Sequence, residues 1–173
     1  LAKSALRLGG MRVIEAVLRL QDERHFQASV RTVGKALGKG GREVARAMRL
    51  GQEAQARAGR AVQQKGREVV SGLTPGERAL VLIGRTYNTC DQGMNMNLPA
   101  KIRDLGVQAI PLDFLPIHDA DHADPSNMYW RSGQKILAAA RYIKDHPNLY
   151  PVYITNFGCG PDSFISHVFK DVL

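Results

Sequence analysis

The chain has 173 residues, 44% of them hydrophobic, and a formal net charge of +8. That is enough apolar material for a buried core and excludes a compositionally disordered polymer. No stretch reads as a secretory leader or as a run of about 18 apolar residues, so no membrane span is expected.

The charge is unevenly spread. Residues 1–78 carry sixteen Lys or Arg against seven acids, and residues 79–173 carry eight against nine. A basic segment raises nucleic acid as a partner, but Phe26 is the only aromatic residue in this one and its cations recur at helical intervals. The expected reading is a solvated basic face, or one covered by an acidic partner, with no nucleic acid bound.

Residues 1–72 read as a helical extension of two or three helices. Val13, Ala16, Val17 and Leu20 recur at helical spacing, and a weaker stripe runs through Val30, Val33, Leu37, Val44, Met48, Ala58 and Val62. Gly34, Gly51, Gly59 and Gly66 are expected to mark helix breaks or close packing.

From residue 73 to 173 the pattern changes to a Rossmann-like α/β domain fragment. Thr74, Pro75 and Gly76 make a turn, and Ala79 to Ile83 is a continuous apolar run, as in strands covered on both faces. Similar runs follow at Val107 to Phe114 and Leu149 to Phe157. Between them a short helix should end at a Gly106 cap, and a longer one should run from about Ser126 to Asp145. The last residues form one more helix. Strands alternating with helices predict a short parallel sheet in a three-layer unit.

Ligands of such sheets collect beyond the carboxyl ends of the strands. Three polar segments fall there: Gly84–Pro99, Leu112–Asn127 and Asn156–Ser163. Cys159 follows a strand and precedes a helix, where free backbone donors favour a thiolate for attack or for a soft metal. As a nucleophile it would need a base, and His118, His122 and His167 hold no diagnostic spacing. As a zinc ligand it would need Cys90 with His118 or His122, without any Cys-x-x-Cys pair. The segment His118 to Asp124 lacks the spacing of a calcium loop and reads as a solvated acidic turn. No glycine-rich dinucleotide fingerprint and no Walker sequence occurs, although a phosphate on a helix N-terminus stays open. Tyr87, Tyr129, Trp130, Tyr150 and Tyr153 read as packing residues before cofactor-stacking ones, and Met94 and Met96 as packing residues beside a polar loop. Two cysteines without a disulfide framework favour a reducing, cytoplasmic compartment.

The stretches "GRTYNTCDQGMNMNLPAKIRDLGVQAIPLDFLP" (Gly84 to Pro116) and "YITNFGCGPDSFISHVF" (Tyr153 to Phe169) resemble the CoA-substrate-specific enzyme activases, in their portion related to the 2-hydroxyacyl-CoA dehydratase iron-sulfur subunits. The resemblance covers about residues 78–173 and the preceding helices only weakly. It implies a fragment of a larger protein that performs ATP-coupled iron-sulfur electron transfer or dehydratase-like chemistry. Cys159 would be one metal ligand of a [4Fe-4S] or related cluster and Cys90 a secondary candidate, since relatives commonly have another residue there. Asn156, Gly158, Gly160, Asp162 and Ser163 would shape the cofactor-binding turn. Further ligands and the ATP-dependent activator would come from other domains of the parent, and a CoA thioester is the implied substrate class. Taken alone, the fragment is expected to be inert and to retain no cluster. The competing expectation is a noncatalytic structural or protein-interaction module with a buried, inert cysteine.

Overall fold

The computed structural model of the chain describes residues 13–19, 22–117, 128, 130–156 and 158–173. It divides into two compact units, Leu1–Ala58 and Gly59–Leu173. The predicted acidic turn His118–Asp124 lies outside the described residues, and so does Tyr129.

In the first unit, α1 (Glu23–Ala36) starts at Asp22, whose carboxylate accepts the His25 backbone N–H at 3.1 Å. Such an acceptor satisfies one of the donors that a helix start leaves free. The helix stops in a Schellman turn, with Gly38 N–H on Lys35 O and Lys39 N–H on Gly34 O, and Gly38 takes the left-handed φ of +70° that this turn demands. Gly40 then donates to Glu43 Oε2 and opens α2 (Gly41–Ser71). A methyl at Gly34 would lie 2.2 Å from Val44 Cγ2, so this glycine is what lets the two helices approach there. The unit boundary falls within α2, which runs unbroken for 31 residues through Gly51, Gly59 and Gly66. The glycines therefore do not break it, because each costs only about 1 kcal/mol among good helix formers and no proline intervenes. Gly66 meets the second expectation: a methyl there would fall 1.4 Å from the Phe114 carbonyl oxygen, so the helix touches backbone.

The second unit is an α/β Rossmann-like fold. Its elements are β1 (Ala79–Ile83), α3 (Thr86–Cys90), α4 (Leu98–Asp104), β2 (Gln108–Pro111), a 3-10 turn (Leu112–Phe114), α5 (Arg131–Lys144), β3 (Leu149–Tyr153) and α6 (Gly160–Val172). The three strands form a parallel sheet in the order β2-β1-β3, with Val81 opposite Ile110 on one side and Pro151 on the other. β1 is central, which explains its uninterrupted apolar run: Ala79, Val81, Leu82 and Ile83 are fully buried. Ala79, Val81 and Ile83 join the main core with Ile136, Leu137, Ala140, Ile165 and Phe169, while Leu82 is buried outside it, as two-residue alternation requires. Each fully buried Leu or Ile contributes about 1.5–3 kcal/mol.

Three expected boundaries shift, for the run expected from Leu149 to Phe157 is strand only to Tyr153. The second apolar run becomes a strand only to Pro111 and then tightens into the 3-10 turn, where Asp113 pairs with Lys135 of α5. The long helix begins at Arg131 instead of Ser126, after the extended Trp130. Gln134 holds this start by donating to the Met128 carbonyl. Met94 and Met96 are 50% and 76% exposed, so they are not packing residues. Among the described residues no helix is long and apolar enough to cross a membrane.

Candidate functional site

The order β2-β1-β3 places a switch in chain direction between β1 and β3, since the chain leaves β1 for one side and returns on the other. Parallel α/β sheets open a crevice at that point, beyond the strand ends. Here the two strand ends are drawn together by the Ile154 N–H, which donates to Ile83 O at 2.7 Å. Gly84 makes that approach feasible. It sits at φ +155°, and a methyl on it would lie 2.6 Å from the Ile154 carbonyl oxygen.

The next residue, Arg85, organises the crevice. Its Nε donates to Asp162 Oδ1 at 3.1 Å, its Nη1 to the Tyr87 hydroxyl at 2.8 Å and its Nη2 to Cys159 Sγ at 2.9 Å. The guanidinium also lies 4.8 Å from the centre of the Trp130 ring, a cation-π arrangement. Trp130 is brought there by a tight helix start, for a methyl at Gly133 would collide with Met128 Sδ, Ile165 Cδ1 and Trp130 Cε3, all within 3 Å. Partial burial acts against the charge on Arg85, but the Tyr87 hydroxyl and Asp162 outweigh it and raise its pKa further.

Cys159 is the N-cap of α6 and is half-buried. Its N–H donates to Asn156 O, and its carbonyl accepts from both the Ser163 N–H and the Ser163 hydroxyl. Gly158 supplies a left-handed φ of +80° in the turn, and Gly160 opens the helix. The β3–α6 turn thus gathers Asn156, Gly158, Cys159, Gly160, Asp162 and Ser163 within one short segment. Asp162 is buried at 2% exposure, and its Oδ2 has no partner. Beside this cluster the Tyr153 phenol is pushed up to about 12, first by burial and then by the Asp162 charge, against the opposing effect of Arg85. It stays protonated at neutral pH and packs on Phe169, with ring centres 5.3 Å apart.

Cys90 shares none of these contacts. It is exposed at the end of α3, next to its neighbour's hydroxyl, Thr89 Oγ1, at 3.6 Å. His167 lies on the exposed surface of α6, while His118 and His122 fall outside the described residues. Among the described residues no group of three or more His, Cys, Asp or Glu could hold a metal ion. The residue that sequence reasoning missed is Arg85. Its only signal was position, a cation immediately after a buried strand and its glycine.

These features define a Rossmann-like α/β unit with a Cys-Arg-Asp cluster at its switch point. Residues 1–115 match the family model described as CoA enzyme activase uncharacterised domain (DUF2229), and the chain belongs to that family. The match takes in the helical segment, which the resemblance read from the two motifs touched only weakly, and ends before Cys159. Comparison with curated proteins and with solved structures returns no match.

Proposed function

We propose that this chain is the α/β portion of a cytoplasmic activase-type protein in which Cys159 supplies one thiolate to an iron-sulfur centre completed by other segments. The observation that carries the reading is the Arg85–Cys159 contact at the switch crevice, where a half-buried sulfur accepts an N–H from a cation. Hydrogen bonds to ligand sulfurs are among the factors that set the potential of such clusters. The donor set fits a single ligand and not a whole cluster, because the chain has two cysteines and they share no contacts among the described residues. When bound, the cluster would supply one-electron chemistry for ATP-coupled electron transfer or for a 2-hydroxyacyl-CoA dehydratase-like reaction. Arg85, Asp162 and Ser163 orient the cysteine, and Asn156, Gly158 and Gly160 shape the turn against which a CoA thioester would sit. The chain by itself is inert and retains no cluster, with Cys90 a secondary ligand candidate.

A second reading is a noncatalytic module in which the same contacts only tie α6 to β1. It is favoured by the part-buried Arg85–Asp162 ion pair, which would hold that junction without any cofactor.

Anaerobic iron and sulfide analysis with electron paramagnetic resonance on the full-length parent, native against Cys159→Ser, separates the two. Loss of the reducible cluster in the variant is expected. An unchanged cluster would overturn the ligand assignment and leave the structural reading.

A further inference from the structure

Among the described residues of the first unit, Val44 is the only hydrophobic side chain that is buried. Two helices that bury so little of their apolar stripes leave the rest facing outwards. Val30 and Val33 of α1, Leu37 at its C-cap, and Val44 and Ala47 of α2 line a groove of about 310 Å³ between the helices. Leu37 is 59% exposed, and Leu50, one turn beyond Ala47 on α2, is exposed as well. A hollow of this kind accepts side chains that project from another helix at intervals of three and four residues.

The charges along the groove say what that helix must carry. Residues 22–58 hold eight Lys or Arg against four acids. Both acids of α2 in this unit are engaged, Glu43 by Lys39 at 3.3 Å and Glu53 by Arg49 at 2.8 Å. Arg42 and Arg46 are exposed and have no hydrogen bond or ion pair among the described residues. Arg46 stands one turn from Glu43, which lines the groove, and Arg42 one turn from Arg46, so the two lie along the α2 edge. An apolar hollow with a cationic edge is complementary to a helix that carries carboxylates beside its apolar stripe. Other occupants match less. A second copy would set arginines against arginines. A bilayer takes up an apolar face that protrudes, whereas these valines and Ala47 line a hollow. Nucleic acid would find no aromatic platform in the groove.

We propose that the groove between α1 and α2 docks an acidic amphipathic helix of a partner protein, with apolar side chains in the hollow and carboxylates on Arg42 and Arg46. The site is independent of the Cys159 reading and shares no residue with it.

The test uses the full chain and a fluorescein-labelled peptide of about five helical turns, with leucines at intervals of three and four residues and glutamates elsewhere. Fluorescence anisotropy at physiological ionic strength should show binding in the micromolar range. A peptide with lysine in place of glutamate, and one with alanine in place of leucine, should each bind about tenfold more weakly or worse. Ala47→Glu, at an exposed position, brings a carboxylate to the groove wall and should weaken binding about tenfold, as should Arg42→Glu combined with Arg46→Glu. Arg24→Glu combined with Arg31→Glu makes the same change in net charge on α1 residues outside the groove lining, and should leave affinity within about twofold. Circular dichroism checks that each variant keeps its helices. No binding of the acidic peptide at about 1 mM, equal binding of the lysine or alanine peptide, no effect of Ala47→Glu, or an equal loss in the Arg24 and Arg31 pair would each overturn the proposal. So would tighter binding to phosphatidylserine-containing vesicles or to duplex DNA, or self-association that Ala47→Glu abolishes, each of which names a different occupant.

Discussion

Breaking the Arg85–Asp162 pair from each side should cost different amounts, because the two partners are unequally buried. The Asp162 side chain is 3% exposed and the Arg85 side chain 24%. Arg85→Met leaves the Asp162 carboxylate dry and unpaired, with Oδ2 already lacking a partner, and should destabilise the second unit by about 3 kcal/mol. Asp162→Ala leaves a guanidinium that water still reaches and that keeps the Tyr87 hydroxyl, the Cys159 sulfur and the Trp130 ring, so about 2 kcal/mol is expected. The double variant strands no charge. It should cost about 2–3 kcal/mol, not the additive sum of about 5, which leaves a coupling of about 2 kcal/mol. Urea denaturation followed by circular dichroism at constant ionic strength measures all four corners of this cycle. A coupling below about 0.5 kcal/mol, or a larger loss in Asp162→Ala than in Arg85→Met, would refute the view that burial of the carboxylate governs this junction.

Two glycines of α2 should respond in opposite directions. Gly59→Ala, where a methyl meets nothing within 4 Å, should stabilise by about 0.5–1 kcal/mol. Gly66→Ala, which drives a methyl into the Phe114 carbonyl, should destabilise by about 1–3 kcal/mol, and thermal melts of both decide the matter. Tyr153 gives a pH prediction. Its folded pKa of about 12 lies above the unfolded value of about 10, so the folded state retains the proton longer and stability falls as pH rises through that window. Below about pH 10 the contribution is complete, and solvent screening of this half-buried group limits it to about 1–2 kcal/mol. Tyr153→Phe should flatten that part of the alkaline limb in stability curves measured from pH 9 to 12, in proportion to this one group.

The strand β1 was legible to the residue because a strand between two others must be apolar on both faces, and the run Ala79 to Ile83 can be nothing else in an alternating pattern. The Cys159 turn was legible too, since Gly158, Gly160 and Pro161 punctuate the passage from strand to helix. Helix starts were read less well. Trp130 and Gly133 are ordinary helix-pattern residues in sequence, and only the crowding of Met128, Trp130 and Ile165 around Gly133 explains why α5 begins at Arg131. Met94 and Met96 are apolar by type, yet they lie on a loop that the sheet leaves outside its core, so exposure followed from placement and not from chemistry.

By itself, then, the sequence determined the alternation of strands and helices and that the segments after β1 and β3 would meet, because periodicity and turn chemistry act over neighbouring residues. Only the tertiary structure decided which side chains meet there. Arg85 reaches Cys159 and Asp162 across 74 and 77 residues, and those contacts exist because β1 and β3 become adjacent parallel strands. Cys90, the secondary ligand candidate, lies in surroundings separate from those of Cys159 for the same reason. Strand order is set by how helices cross a sheet to bury its two faces, a nonlocal choice that local residue patterns do not encode.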